Sequence, residues 1–192
     1  MKDVVITGLG TVNPLGDRAQ TFFAALLEGK DGIRPIRSLD VSAYACRVGG
    51  EVTSSRAQST TEARDATWAA RLLLLAARDA SDDAGLAAVG EDERRRIPLV
   101  TGTTLGGLSS GEAFYRQLAS NPRRAHPRPL LHASMHAPND LVMDALGLGG
   151  ASVVLSTACS AGAHAIGHAF AQVRSGQTAL ALAGGFESLS EL

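Results

Sequence analysis

The stretch Ser156-Thr157-Ala158-Cys159-Ser160-Ala161-Gly162 limits what this chain can fold into more than any other. Before it, Ala151-Ser152-Val153-Val154-Leu155 is short, apolar and β-branched, the pattern of a buried strand. After it, Ala161 to Arg174 is rich in Ala and poor in long side chains, the pattern of a tightly packed helix. A lone cysteine therefore stands where a strand turns into a helix. The strand fixes its backbone, and a helix start offers unpaired N–H groups and a positive dipole end to an anion. Thiolate is the nucleophilic form of cysteine, so this corner suits a nucleophile. The residues leave one alternative open, a structural cysteine that behaves as a small buried hydrophobe.

With 192 residues, 45% hydrophobic and a net charge of −1, the chain suits one globular α/β domain with a sizeable core. Near-neutral charge argues against a nucleic-acid surface. No apolar run approaches the ~18 residues of a membrane span. The N-terminus passes from Asp3 straight into Val4-Val5-Ile6, without the features of a signal peptide. Cys46 and Cys159 sit in unlike contexts and suggest no disulfide. A cytoplasmic location is the expectation.

Val4-Val5-Ile6 reads as a buried strand and Gly8 to Gly16 as a glycine-rich loop. The glycine spacing after Gly10 does not match a dinucleotide fingerprint. Asp17 is expected to cap a helix from Arg18 to about Glu28, with Phe22, Phe23, Leu26 and Leu27 on its apolar side. A short strand is expected at Ala45–Val48, and a mobile polar loop at Thr53–Thr60. Thr60 or Thr61 then opens a long helix to about Asp83, with Leu72 to Leu75 apolar almost all round. Glu91–Arg96 reads as a solvated turn. A second strand runs from Ile97 to Thr104, a helix from Ser110 to about Leu118, and another from Asn139 or Asp140 to Leu146. Thr178–Ala183 is the last strand. His132 and His136, or His164 and His168, are spaced four apart, but neither pair has a third ligand in the sequence, so no metal site is expected. His164 and His168 read as hydrogen-bonded packing residues, not as a base for Cys159.

Thr157-Ala158-Cys159-Ser160-Ala161-Gly162-Ala163-His164-Ala165-Ile166-Gly167 closely resembles the nucleophile motif of β-ketoacyl-(acyl-carrier-protein) synthases. Val4 to Gly10 with Pro14-Leu15-Gly16 resembles their first strand and loop. Gly102 to Gly107 is similar to the end of their second strand. Leu182-Ala183-Gly184-Gly185 with Glu187-Ser188 is similar to the strand that closes their N-terminal half. The resemblance implies an α/β fold, the N-terminal half of a thiolase-like fold, with a mixed five-stranded sheet and flanking helices. Residues 1–192 would form the N-terminal domain alone.

The same resemblance implies an acyltransferase of fatty acid or polyketide biosynthesis. Cys159 would accept an acyl group from a carrier protein's phosphopantetheine, and malonyl-carrier protein would then condense with it after losing carbon dioxide. Leu105 would line the acyl pocket. The Cys159 N–H would be one oxyanion donor. No cofactor is implied beyond the phosphopantetheine that the carrier protein brings. The partners implied are the acyl carrier protein, a homodimer or heterodimer mate paired through the Val153–Leu155 strand, and the C-terminal half. The mate would place residues near Ser134 to Asn139 by its neighbour's pocket. The family's two catalytic histidines, its lysine and its second oxyanion donor belong to that C-terminal half, so the chain alone is expected to be inactive in condensation. A non-catalytic partner resembling a chain-length factor, or a scaffold that binds carrier protein, is the other reading; such partners usually lack the cysteine.

Overall fold

A computed structural model describes residues 3–60, 63 and 65–191. Its centre is strand β3 (Leu99–Gly102), every residue of which is buried. Strands β4 (Ser152–Leu155) and β5 (Leu182–Gly185) pair with β3 in parallel, one on each side. The register sets Gly102 level with both Leu155 and Gly185, so all three strands end together.

Alternate side chains of a strand point to opposite faces, and β3 splits the molecule accordingly. Leu99 joins Leu73, Leu74, Ala77, Val142 and Phe186 on one face. That layer is built from helices α3 (Trp68–Asp83) and α6 (Ala137–Leu146). Val100 turns the other way, against Ala165 and Ala169 of helix α7 (Ala161–Ser175). The buried stripe of α7 is Ala161, Ala165 and Ala169, one small residue per turn, which lets the helix lie close on the sheet. Leu72 to Leu75 of α3 are all buried, as their unbroken apolar run predicts. A two-stranded antiparallel ribbon, β1 (Arg34–Pro35) with β2 (Val48–Gly49), lies apart from the main sheet.

Several expectations are corrected. The described residues form a three-stranded parallel sheet and a two-stranded ribbon, where a single mixed sheet of five is the family expectation. Val4-Val5-Ile6 forms no strand and pairs with none among the described residues, and Val5 and Ile6 are 74% and 79% exposed. The residues just after it lie along α3 instead: an added Cβ on Gly8 would sit 2.2 Å from the Ala80 carbonyl oxygen and one on Gly10 1.9 Å from that of Ala76. Helix α1 (Ala19–Leu27) forms where expected, but it buries only Ala25 and leaves Phe23, Leu26 and Leu27 exposed. Asp17 does not cap it; its carboxylate accepts a hydrogen bond from the Ser54 hydroxyl (2.9 Å).

Thr53–Thr60 is no open loop. Ser54 is buried and caps helix α2 (Ser55–Gln58), and the Arg56 guanidinium makes a two-pronged ion pair with Asp79 of α3. Thr61, one of the two expected starts of the long helix, lies outside the described residues; α3 begins at Trp68 under a Thr67 cap. Edge strand β4 is half-buried, where a buried strand is the expectation, because only β3 has neighbours on both sides. The short strand expected at Ala45–Val48 begins at its last residue, and the last strand starts four residues later than expected and ends two later. Helices α4 (Glu91–Arg94) and α5 (Leu108–Ser120) complete the chain order. No helix of the described residues is long and apolar enough to cross a membrane.

The chain exposes 11475 Å², about a third more than the ~8,600 Å² that size scaling gives for a compact monomer of this mass. Val5, Ile6, Phe23, Leu27, Ile166 and Phe170 are among the large apolar side chains left exposed.

Leu74 of α3 is fully buried, in one cluster with Leu99 of β3 and Val142 of α6. Leu74→Ala should lower stability by about 2–5 kcal/mol, read as a shifted urea midpoint with an unchanged slope.

Candidate active site

The three parallel strands end at one edge, and three loops leave it. Thr103-Thr104-Leu105 follows β3, Ser156 to Ser160 follows β4, and Phe186-Glu187 follows β5. In parallel α/β sheets this carboxyl edge is where ligands bind. Thr103 N–H donates to the Leu155 carbonyl and Phe186 N–H to that of Gly102, each at 3.0 Å, which carries the register one step past the strands.

Cys159 lies in the middle of a single 3₁₀ turn, Ala158–Ser160, that feeds directly into α7. It is exposed, so it is not a buried apolar filler. Ala158, just before it, has φ +52°, the only non-glycine residue with positive φ among those described. A side chain held in that left-handed region costs of order 1 kcal/mol or more, and such residues gather at functional corners. The turn is braced from both ends. The Ser160 hydroxyl donates to the Thr157 carbonyl (2.8 Å), and the Thr157 hydroxyl is hydrogen-bonded to His164 Nδ1 (2.7 Å). His164 is therefore hydrogen-bonded as its position suggests, but in the open and not at a packed interface. His168 pairs with Gln172 one turn further on. His126 is exposed, and its Nδ1 accepts from the Arg128 N–H (3.2 Å).

What seats this corner on the sheet is the absence of side chains. A Cβ on Gly102 would lie 2.1 Å from the Ala161 carbonyl carbon, and one on Gly185 would lie 2.9 Å from Gly162 Cα. The ends of β3 and β5 thus meet the first turn of α7 backbone to backbone. Sequence reading flagged these glycines only as parts of motifs; their shared role needs the register.

Leu105 is half-buried in the loop after β3, on the same edge as Cys159. The next glycines press against the segment before α6: a Cβ on Gly106 would come within 3.1 Å of the Met135 side chain, and one on Gly107 within 1.9 Å of the His132 carbonyl. Ser134, Met135 and His136 are exposed, whereas Asn139 turns inward. Asn139 Oδ1 accepts from the Thr101 hydroxyl (2.7 Å), and its amide donates to Ser152 Oγ (3.3 Å) and the Val153 carbonyl (3.4 Å). It fastens α6 to two strands and does not present its amide to a neighbour. Glu187 went unremarked in the sequence except as part of a motif; its carboxylate binds the loop that carries Leu105.

Residues 1–191 match the family profile described as the N-terminal domain of β-ketoacyl synthase. The chain is 35% identical over 193 residues to a 3-oxoacyl-(acyl-carrier-protein) synthase 2 of Synechocystis, covering 97% of this chain and 46% of that protein. Its fold is similar to that of the ishigamide ketosynthase/chain length factor, with a TM-score of 0.85 at 26% identity, over 97% of this chain and 48% of the other. A β-ketoacyl synthase from Burkholderia phymatum gives a TM-score of 0.83 at 28% identity, over all of this chain and 48% of that one. The chain thus spans about half the length of the relatives it matches.

Two glycine substitutions separate tight from open positions. Gly102→Ala forces a Cβ into the α7 backbone and should cost about 1–3 kcal/mol. Gly167→Ala, on the exposed side of α7 with nothing within 4 Å of an added Cβ, should stabilise by about 0.5–1 kcal/mol. Urea midpoints of the two variants, moving in opposite directions from the parent, check this.

Proposed function

The chain belongs to the β-ketoacyl synthase family, and from that premise we propose that it supplies the acyl-accepting side of a 3-oxoacyl-(acyl-carrier-protein) synthase active site. The observation that carries this reading is the exposed Cys159 sulfur on a strained, braced turn at the start of α7. The Cys159 thiolate attacks the carbonyl carbon of an acyl thioester on a carrier protein's phosphopantetheine. The tetrahedral oxyanion collapses, the old C–S bond breaks, and the carrier thiol leaves with a proton taken up from water in exchange for the one Cys159 lost. The Cys159 N–H is one donor to that oxyanion, in a turn whose first N–H groups have no partner further along the helix. Leu105 forms part of the wall against which the acyl chain rests.

In the condensing step the carboxylate of a malonyl thioester leaves as carbon dioxide. The freed electron pair attacks the Cys159 thioester carbonyl, and the C–S bond to Cys159 breaks to release the β-ketoacyl product. That step needs proton-handling groups and a second oxyanion donor, which the family resemblance places in a C-terminal half. His164, the histidine nearest Cys159 in sequence, has its Nδ1 hydrogen-bonded to the Thr157 hydroxyl. Loss of a single oxyanion donor costs about a hundred- to a thousandfold in similar chemistry. The acyl carrier protein is the substrate-bearing partner, phosphopantetheine its carried group, and the cytoplasm the place of action. The uncovered apolar faces suit a C-terminal half, and the open edge of β4 suits a homodimer or heterodimer mate.

Incubation with an acyl thioester should add one acyl mass to the intact chain, lost in Cys159→Ala. No β-ketoacyl product should form from malonyl thioester until a C-terminal half is supplied. A chain that takes up no acyl group, yet co-purifies with a complete synthase, would instead be the chain-length-factor-like partner or carrier-binding scaffold.

A further inference from the structure

One carboxylate at the strand edge lies outside the chemistry above. Glu187, two residues past β5, reaches across to the loop after β3. Its Oε2 accepts from the Thr104 N–H (2.7 Å) and the Leu105 N–H (3.2 Å), and its Oε1 accepts from the Leu105 N–H (3.3 Å) and the Thr103 hydroxyl (3.2 Å). The Thr103 oxygen in turn accepts from the Gly106 N–H (2.9 Å), where the chain takes a left-handed turn with φ +54°. One side chain thereby ties three successive residues of the loop to the end of β5, adding to the backbone bond that holds Thr103 to Leu155. Hydrogen bonds to a carboxylate are roughly twice as strong as neutral ones. The same β5 end also seats the nucleophile corner, through Gly185 against Gly162.

We propose that Glu187 is a positioning residue that sets how long an acyl chain the site accepts, by clamping the Thr103–Leu105 turn and so fixing the Leu105 side chain relative to Cys159. This rests on the reading of Cys159 as acyl acceptor and Leu105 as pocket wall. A clamp acts on the fit of the chain, not on the sulfur, so its loss changes selectivity between acyl groups more than the overall rate.

The test measures acylation of Cys159 by the N-acetylcysteamine thioesters of butanoate and decanoate, followed by intact mass. Glu187→Ala should move the ratio of decanoyl to butanoyl rates about tenfold towards decanoyl, the low end of what one methylene is worth in an apolar pocket. Glu187→Gln, which keeps one acceptor oxygen, should move it in the same direction by less. Leu105→Ala should move it as well. If Glu187→Ala does not fold, Glu187→Gln carries the test, together with amide exchange at Thr104 and Leu105, expected to be at least tenfold faster than in the parent. A ratio unchanged in both Glu187 variants, or two rates falling in equal proportion while Leu105→Ala shifts the ratio, overturns the proposal alone. A parent chain acylated by neither thioester overturns the reading of Cys159, and this proposal with it.

Discussion

The structure depends on one contact made without side chains: the ends of two strands against the first turn of α7. Gly102 and Gly185 meet Ala161 and Gly162 at distances no Cβ could share. Close approach of this kind fixes the height of the helix start over the sheet to within a few tenths of an ångström, because backbone cannot repack as side chains do. Cys159 stands one short turn upstream. Its position is therefore inherited from the buried strand β3 and its two parallel neighbours.

Around that contact the two faces of the sheet divide the work. The α3–α6 face carries the larger apolar cluster, with Leu74, Leu99 and Val142 at full burial, and a polar rivet in Asn139. The α7 face is thinner and made of small residues, so the helix can sit low. The first face holds the fold together, and the second places the nucleophile. The strained Ala158 backbone is tolerated because Thr157, Ser160 and His164 tie the turn down on either side of it. Removing any of these ties would loosen the turn without touching the core.

Much of this was legible in the residues. The strand-to-helix corner at Cys159 and the buried run Leu72–Leu75 follow from local pattern and local chemistry. The misreadings share a cause. Val4-Val5-Ile6 has the pattern of a buried strand and α1 has an apolar side at Phe23 to Leu27, yet hydrophobicity says only that a surface wants cover, not whether this chain provides it. Thr53–Thr60 is polar and has the composition of a loop, yet Ser54 and Arg56 find partners on Asp17 and Asp79, far away in sequence. Polar composition cannot reveal such partners.

By itself the sequence determined the elements, the nucleophile corner and the family, because those depend on residues that are neighbours along the chain. Only the tertiary structure decided that β3 is the central strand, that Gly102, Gly162 and Gly185 converge beneath Cys159, and that Glu187 grips the loop of Leu105. These pairings join residues some twenty to eighty positions apart. Their geometry is set by sheet register and helix height, which no local pattern encodes.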